Sequence, residues 1–148
     1  MAVLDLPHTW SEWTRSLLAE VDEVVITAVP DLANLRNAKN MLDALRKLRP
    51  NDHLPHLVLN QVGMPKRPEI APSDFMEALE IEPAAILPFD VQLFGNAANS
   101  GRMITEVDAK SAAAETFSQI CHIVTGRTEM RKIRKGGLSK VLGMLRRK

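Results

Sequence analysis

The sequence predicts an α/β domain in which a parallel sheet carries helices on both faces. Two observations lead there. Short apolar runs of strand length are continuous rather than alternating, as in strands covered on both sides, and between them lie segments with apolar residues at three- and four-residue steps. The length of 148 residues adds a third constraint, because it allows one core and no second full domain.

The elements follow in order along the chain. Ala2-Val3-Leu4, ending at Asp5, reads as a truncated first strand. Its place almost at the first residue implies an outer edge that awaits further sequence or a partner. Thr9 or Ser11 can cap a helix carrying Trp10, Trp13, Leu17 and Leu18 on one side, with both tryptophans expected to pack into the helix layer or to offer a partner contact. The β-branched run Val24 to Val29, bounded by Asp22-Glu23 and Pro30, is the clearest strand. Asp31 can cap a longer helix in which Leu35, Met41, Leu42, Leu45 and Leu48 recur, ending before Pro50. Leu57-Val58-Leu59 then leads into Asn60, and a Pro-rich loop, Gly63 to Pro72, precedes a short helix near Ser73 to Glu80. Ala84-Ala85-Ile86-Leu87 is a strand ending at Pro88. The last helix of the body runs from about Asp108 to Thr125, burying Ala112, Phe117, Ile120 and Val124, and Gly126 stops it. The reading is β-α-β-α-β-α-β-α with right-handed crossovers over residues 1–126, followed by a tail at 127–148.

Composition excludes several classes. With 45% hydrophobic and 25% charged residues the chain lies in the globular range, away from disordered and collagen-like sequences. Its single cysteine, Cys121, cannot close an intramolecular disulfide or build a zinc ribbon, and among Ile120, His122 and Ile123 it reads as a buried thiol in a reducing compartment. No run approaches the roughly 18 apolar residues of a membrane span, and MAVLDLPHTW lacks the pattern of a secretory signal, so a cytoplasmic location is expected. The net charge of +1 conceals an acidic body and a basic tail: residues 127–148 hold nine Lys or Arg against one Glu. Such a tail points to an anionic partner, while the body does not look like a nucleic-acid platform.

In open parallel sheets ligands bind beyond the carboxyl ends of the strands. Here the strand exits are Asp5-Leu6-Pro7-His8, Pro30-Asp31-Leu32, Asn60-Gln61-Val62-Gly63 and Pro88-Phe89-Asp90. Their polar and turn-forming residues make a plausible rim, although Asp31 and Asn60 also suit a helix cap and a strand-end turn. The ordered series LDLPHTW, VDEVVITAVPDLANLRNAKNMLDAL, LVLNQVG, ILPFD and GNAANSGRMI resembles the C-terminal half of the CpaE/TadZ-type pilus-assembly ATPases, within the ParA/MinD branch of the P-loop proteins. The resemblance covers most of residues 3–126. It implies the C-terminal portion of a SIMIBI-type P-loop NTPase fold, a nucleotide-dependent dimer, and ATP with magnesium in the intact family form. Asp5 then matches the switch aspartate near magnesium and the γ-phosphate, Asn60 the asparagine near adenine, and Pro88 and Asp90 the loop bordering the base; Gln61 stands where the family often has arginine.

The phosphate-binding Gly-rich loop of that family has no counterpart before Asp5. Lys135-Gly136-Gly137-Leu138-Ser139-Lys140-Val141 is similar to its deviant form, but it follows no strand and misplaces Ser139 and Val141. The chain alone is therefore expected to be inactive as an ATPase and not to bind nucleotide tightly. In the tail, Leu138, Val141, Leu142 and Leu145 form an apolar stripe opposite Lys140, Arg146 and Arg147, the pattern of a helix lying on an anionic membrane surface. It resembles the membrane-targeting helix of the MinD relatives without their aromatic anchor. His53 and His56 are broken from helical spacing by Pro55 and have no further ligands near them in sequence, so no metal site is expected. No nucleophile or other catalytic constellation emerges. The function so implied is pilus assembly or localisation in a Flp/Tad secretion system, peripheral on the inner membrane, with secretion-machinery proteins as partners. A non-catalytic partner-binding module and a ParA-like DNA-associated role are the alternatives, nucleic acid being the less expected partner.

Overall fold

The computed structural model of the protein describes residues 1–7 and 9–126. Nine elements follow one another: α1 (Glu12–Glu20), β1 (Val25–Ala28), α2 (Leu32–Leu48), β2 (His56–Val62), α3 (Pro72–Leu79), β3 (Pro83–Pro88), α4 (Val91–Ser100), α5 (Ile104–Val107) and α6 (Ala112–Thr125). The strands form one sheet in the order β1-β2-β3, with both pairings parallel. This is the α/β class expected: Leu57, Val58 and Leu59 are buried from opposite sides, while in β3 Ala85 and Leu87 are buried and Ile86 is exposed.

Alternation along β2 separates two cores. Leu57 and Leu59 point to one face, where Ala28, Ala38, Leu42, Phe75 and Leu79 complete a cluster beneath α2 and α3. Val58 points to the other, where it meets Ala85, Leu87 and Ala113, with Leu93, Phe94, Phe117 and Ile120 packed around them. Helices therefore cover both faces.

Local chemistry fixes the helix ends. The Asp31 carboxylate accepts from the Asn34 backbone N–H at 2.7 Å and starts α2. Ser11 and Ser111 do the same for α1 and α6, accepting from Thr14 and Ala114. Pro72 opens α3, where its missing N–H costs nothing. Gly126 closes α6 in the left-handed conformation that a glycine adopts without strain, at φ 62°, as its place in the sequence implies. Arg49 clamps the end of α2 to that of α1 by donating to the carbonyls of Leu18 and Asp22.

The structure corrects several expectations. Ala2-Val3-Leu4 is not a strand: it has no ladder partner among the described residues, and Val3 is 82% exposed. Trp10 and Trp13, 48% and 59% exposed, do not pack into the helix layer, because α1 turns Thr14 and Leu18 inward instead. Cys121 is exposed on the flank of α6. Its neighbour in expectation, Ala112, is also exposed, since the inward stripe of α6 begins one residue later, at Ala113. Asp108 caps the end of α5 rather than the start of α6, and α4 and α5 occupy a stretch in which no helix was expected. The tail residues Leu138, Lys140, Val141, Leu142, Leu145, Arg146 and Arg147, the Lys135 to Val141 motif and His8 lie outside the described residues.

Phe75 and Leu59 are completely buried, Phe75 beneath α2 and Leu59 at the centre of the sheet. Phe75→Ala is expected to destabilise the domain by about 3–5 kcal/mol and Leu59→Ala by about 2–5 kcal/mol, measured by urea denaturation. A surface control such as Lys47→Ala, an exposed position of α2, is expected to stay within about 0.5 kcal/mol.

Candidate functional site at the carboxyl ends of the strands

Three strand exits meet at one end of the sheet. β1 leaves through Pro30, which is buried, into the capping Asp31. β2 leaves through Asn60, Gln61 and Val62, and β3 through Pro88 and Phe89 into Asp90, the cap of α4. Hydrogen bonds tie the exits together: Ile70 N–H donates to the Pro30 carbonyl at 2.8 Å, and Phe89 N–H to the Val62 carbonyl at 2.8 Å.

The Asn60 position is built by a bulge. Leu59 pairs with Ile86 and Val62 with Pro88, so β2 spends three steps where β3 spends two. Gln61 absorbs the extra residue at φ 55°, in the left-handed region, and its backbone N–H donates to the Asn60 side-chain oxygen at 2.8 Å. That bond directs the amide. Its oxygen is engaged by the backbone, while its NH2 group makes no hydrogen bond among the described residues, leaving donors for a ligand. Asp90 has a similar division of labour: one carboxylate oxygen accepts from the Leu93 N–H at 2.9 Å, and the exposed residue keeps the other.

Sequence reasoning missed the loop that braces this end. Glu69 accepts from the backbone N–H groups of Gly63 and Met64 at 2.9 and 3.0 Å and from Arg67 at 2.8 Å. Arg67 also donates to the side chain and the carbonyl of Gln61. The strained Gln61 backbone is thereby held by a side chain six residues further on. Donation from Gly63, then from Arg67, holds the Glu69 carboxyl below the usual carboxylate range. Gly63 itself sits at φ 82°, a turn that a side chain would strain. The signals in the sequence were Gly63 and the alternating charges Arg67 and Glu69 within a Pro-rich loop, but nothing there assigns their partners.

Asp5, by contrast, is exposed in the irregular segment before α1 and makes no side-chain hydrogen bond among the described residues. The structure brings Pro88 and Asp90 beside the bulge that follows Asn60, and it joins Asp5 to neither. A hollow of about 150 Å³ lies elsewhere on the surface, lined by residues such as Asp22, Arg49, Asp52 and His53.

Two predictions concern this end. The Asp31 carboxyl is held below its ordinary value by the Asn34 backbone N–H first and the Asn34 side-chain amide second. A lowered folded pKa gives stability that is full above the unfolded value, about 4, and is lost as the pH falls through the folded one. Asp31→Ala is thus expected to cost about 1 kcal/mol at pH 7, with the gap to wild type closing below pH ~4 in urea titrations. Arg67→Ala is expected to speed amide hydrogen exchange at Gly63, Met64 and Ile70 while leaving Leu57 and Leu59 protected.

No protein-family model matches the chain, and no curated protein matches it at a significant level. Solved structures do. The MinD cell division protein of Aquifex aeolicus is 18% identical with a TM-score of 0.63, covering 80% of this chain and 50% of that one. The same organism's MinC:MinD cell division protein complex gives 20% identity and a TM-score of 0.59 over 72% of this chain and 44% of the other. A ParA family ATPase from Chlorobium tepidum TLS gives 23% and 0.54 over 72% and 43%. This chain therefore spans half the length of these neighbours or less. At such identities the likeness is one of fold: over that span the chain has the fold of the MinD cell division protein and of the ParA family ATPase.

Proposed function

We propose that the chain is the base-recognising part of a nucleotide-switch protein that assembles or positions a Flp/Tad-type pilus machine, as its resemblance to the CpaE/TadZ ATPases implies. The observation that carries the nucleotide reading is the bulge at Asn60-Gln61, which frees the Asn60 NH2 beside the Pro88–Asp90 turn at the carboxyl end of the sheet. An amide donor with a carboxylate at the same end of the sheet suits the edge of a purine. The donor set fits a base better than phosphates. Among the described residues this end offers no Gly-rich loop opening a helix, and Asp5 is drawn toward the magnesium by the resemblance alone. Bound ATP with magnesium supplies a γ-phosphate whose presence or loss defines the two states of such a switch. Asn60, Pro88 and Asp90 would hold its base and Asp5 would lie toward its metal.

Nucleotide contact by this chain alone is accordingly weak and directed at the base. Titration with a fluorescent adenine nucleotide is expected to show low affinity, with adenosine competing nearly as well as ATP. Asn60→Ala is expected to weaken binding by about 1–3 kcal/mol through loss of its hydrogen bonds. Competition by triphosphate regardless of base would contradict the assignment.

The pilus role and membrane attachment have separate tests. Deleting the gene in its source organism is expected to abolish surface pili, and normal piliation would refute that role. No helix among the described residues is long and apolar enough to cross a membrane. Attachment is assigned to residues 127–148, so flotation on anionic liposomes is expected for the full chain and not for a version ending at Gly126, and it should fall at high salt. A second reading, a partner-binding module, is favoured by the exposed Trp10 and Trp13. Flotation lost with neutral lipid supports the anchor; both versions remaining in solution favours the module.

A further inference from the structure

At the opposite end of the sheet, three metal-ligating side chains converge that the nucleotide reading does not use. Glu23 precedes β1, His53 lies in the loop after α2, and His56 is the first residue of β2. Glu23 Oε2 stands 2.7 Å from His53 Nε2 and 2.9 Å from His56 Nε2, and one donor atom from each residue lies within 4.8 Å of the others. The sequence gives no hint of this group, since Glu23 is thirty residues from His53. The expectation that no further ligand lies near the two histidines is thereby corrected.

We propose that Glu23, His53 and His56 form a site for a zinc-class divalent transition-metal ion. Two imidazoles and one carboxylate are the donor set that borderline metals favour over magnesium or calcium. Around a tetrahedral zinc with bonds near 2.0–2.1 Å, donor atoms stand about 3.3 Å apart. The present spacings need to open by roughly half an ångström, within reach of rotations about the side-chain bonds.

The scaffold supports the site. His56 N–H donates to the Val24 carbonyl at 2.9 Å and His56 pairs with Val25, so the sheet register itself sets Glu23 beside His56. The loop bearing His53 is pinned by the Arg49–Asp52 ion pair at 2.6 Å and by buried Pro55. Arg49, before that loop, is paired with Asp52 and donates to two carbonyls. His53, with 59% of its side chain exposed, also lines the 150 Å³ hollow, so three protein donors leave a fourth position reachable by water or a small ligand.

The full chain, stripped with chelator, is titrated with zinc chloride against a chromophoric competitor, and cobalt(II) is added in parallel to read its visible absorption bands. One zinc per chain, with cobalt bands of four-coordinate intensity, is the expected result. His53→Gln, which changes the most exposed of the three, should keep the wild-type circular dichroism and weaken binding by roughly 10–100-fold or more. Glu23→Gln and His56→Gln should do likewise where they fold. A Cys121→Ser, His122→Gln double variant should bind as wild type. Absence of stoichiometric binding, or binding that survives His53→Gln and disappears in the Cys121/His122 variant, would overturn the proposal.

Discussion

The parallel pairing of β2 with a strand on each side is the constraint on which the rest of the molecule depends. Leu57 and Leu59 face α2 and α3 while Val58 faces α6, so a single strand divides the interior into two cores. A slip of one residue would exchange the faces and expose both. The same register positions the two chemically distinct ends. His56 opens β2 next to Val25, and three steps beyond Leu59 the strand has already turned out of phase with β3. The bulge and the histidine cluster are therefore consequences of one alignment, read at its two ends.

Those ends are built from different materials. At the carboxyl end the ordering groups belong largely to the backbone: the Gln61 and Leu93 N–H groups fix Asn60 and Asp90, and Gly63 and Met64 fix Glu69. Among the groups left for a ligand are the Asn60 amide and the Asp90 carboxylate, the pair on which the proposed base recognition rests. At the amino end the side chains themselves converge, and the backbone supplies only their register. The first arrangement suits recognition by hydrogen bonding; the second suits coordination.

What was legible in the sequence follows the range of the interactions. Asp31 and Gly126 act within a few residues of themselves, and each marks the helix end that local pattern assigns to it, whereas Pro72, read as the end of a loop, opens α3. The runs at 24–29, 57–59 and 84–87 were legible as strands because each is continuously apolar, although only Leu57 to Leu59 are buried throughout, while Val25 and Ile86 are exposed. Val3 and Leu4 have the same composition without a neighbour to pair with, and composition alone cannot supply one. Trp13 and Cys121 were misplaced because helical phase decides burial: shifting the inward stripe to Thr14 and Leu18, or to Ala113 and Phe117, turns them outward. Asn60, Pro88 and Asp90 lie at the strand ends where the sequence places them. Arg67, Glu69 and Glu23 were not legible, because their partners are chosen by the tertiary fold; Glu23 reaches His56 across thirty-three residues.

The central claim is that the carboxyl end of this sheet meets a purine. Titrating the isotopically labelled chain with ATP while following backbone amide resonances tests it directly. Shifts concentrated at Asn60, Gln61, Gly63, Phe89 and Asp90, reproduced by adenosine and absent in Asn60→Ala, are the result this account predicts. Shifts confined to the Glu23–His56 end, or none at millimolar nucleotide, would contradict it.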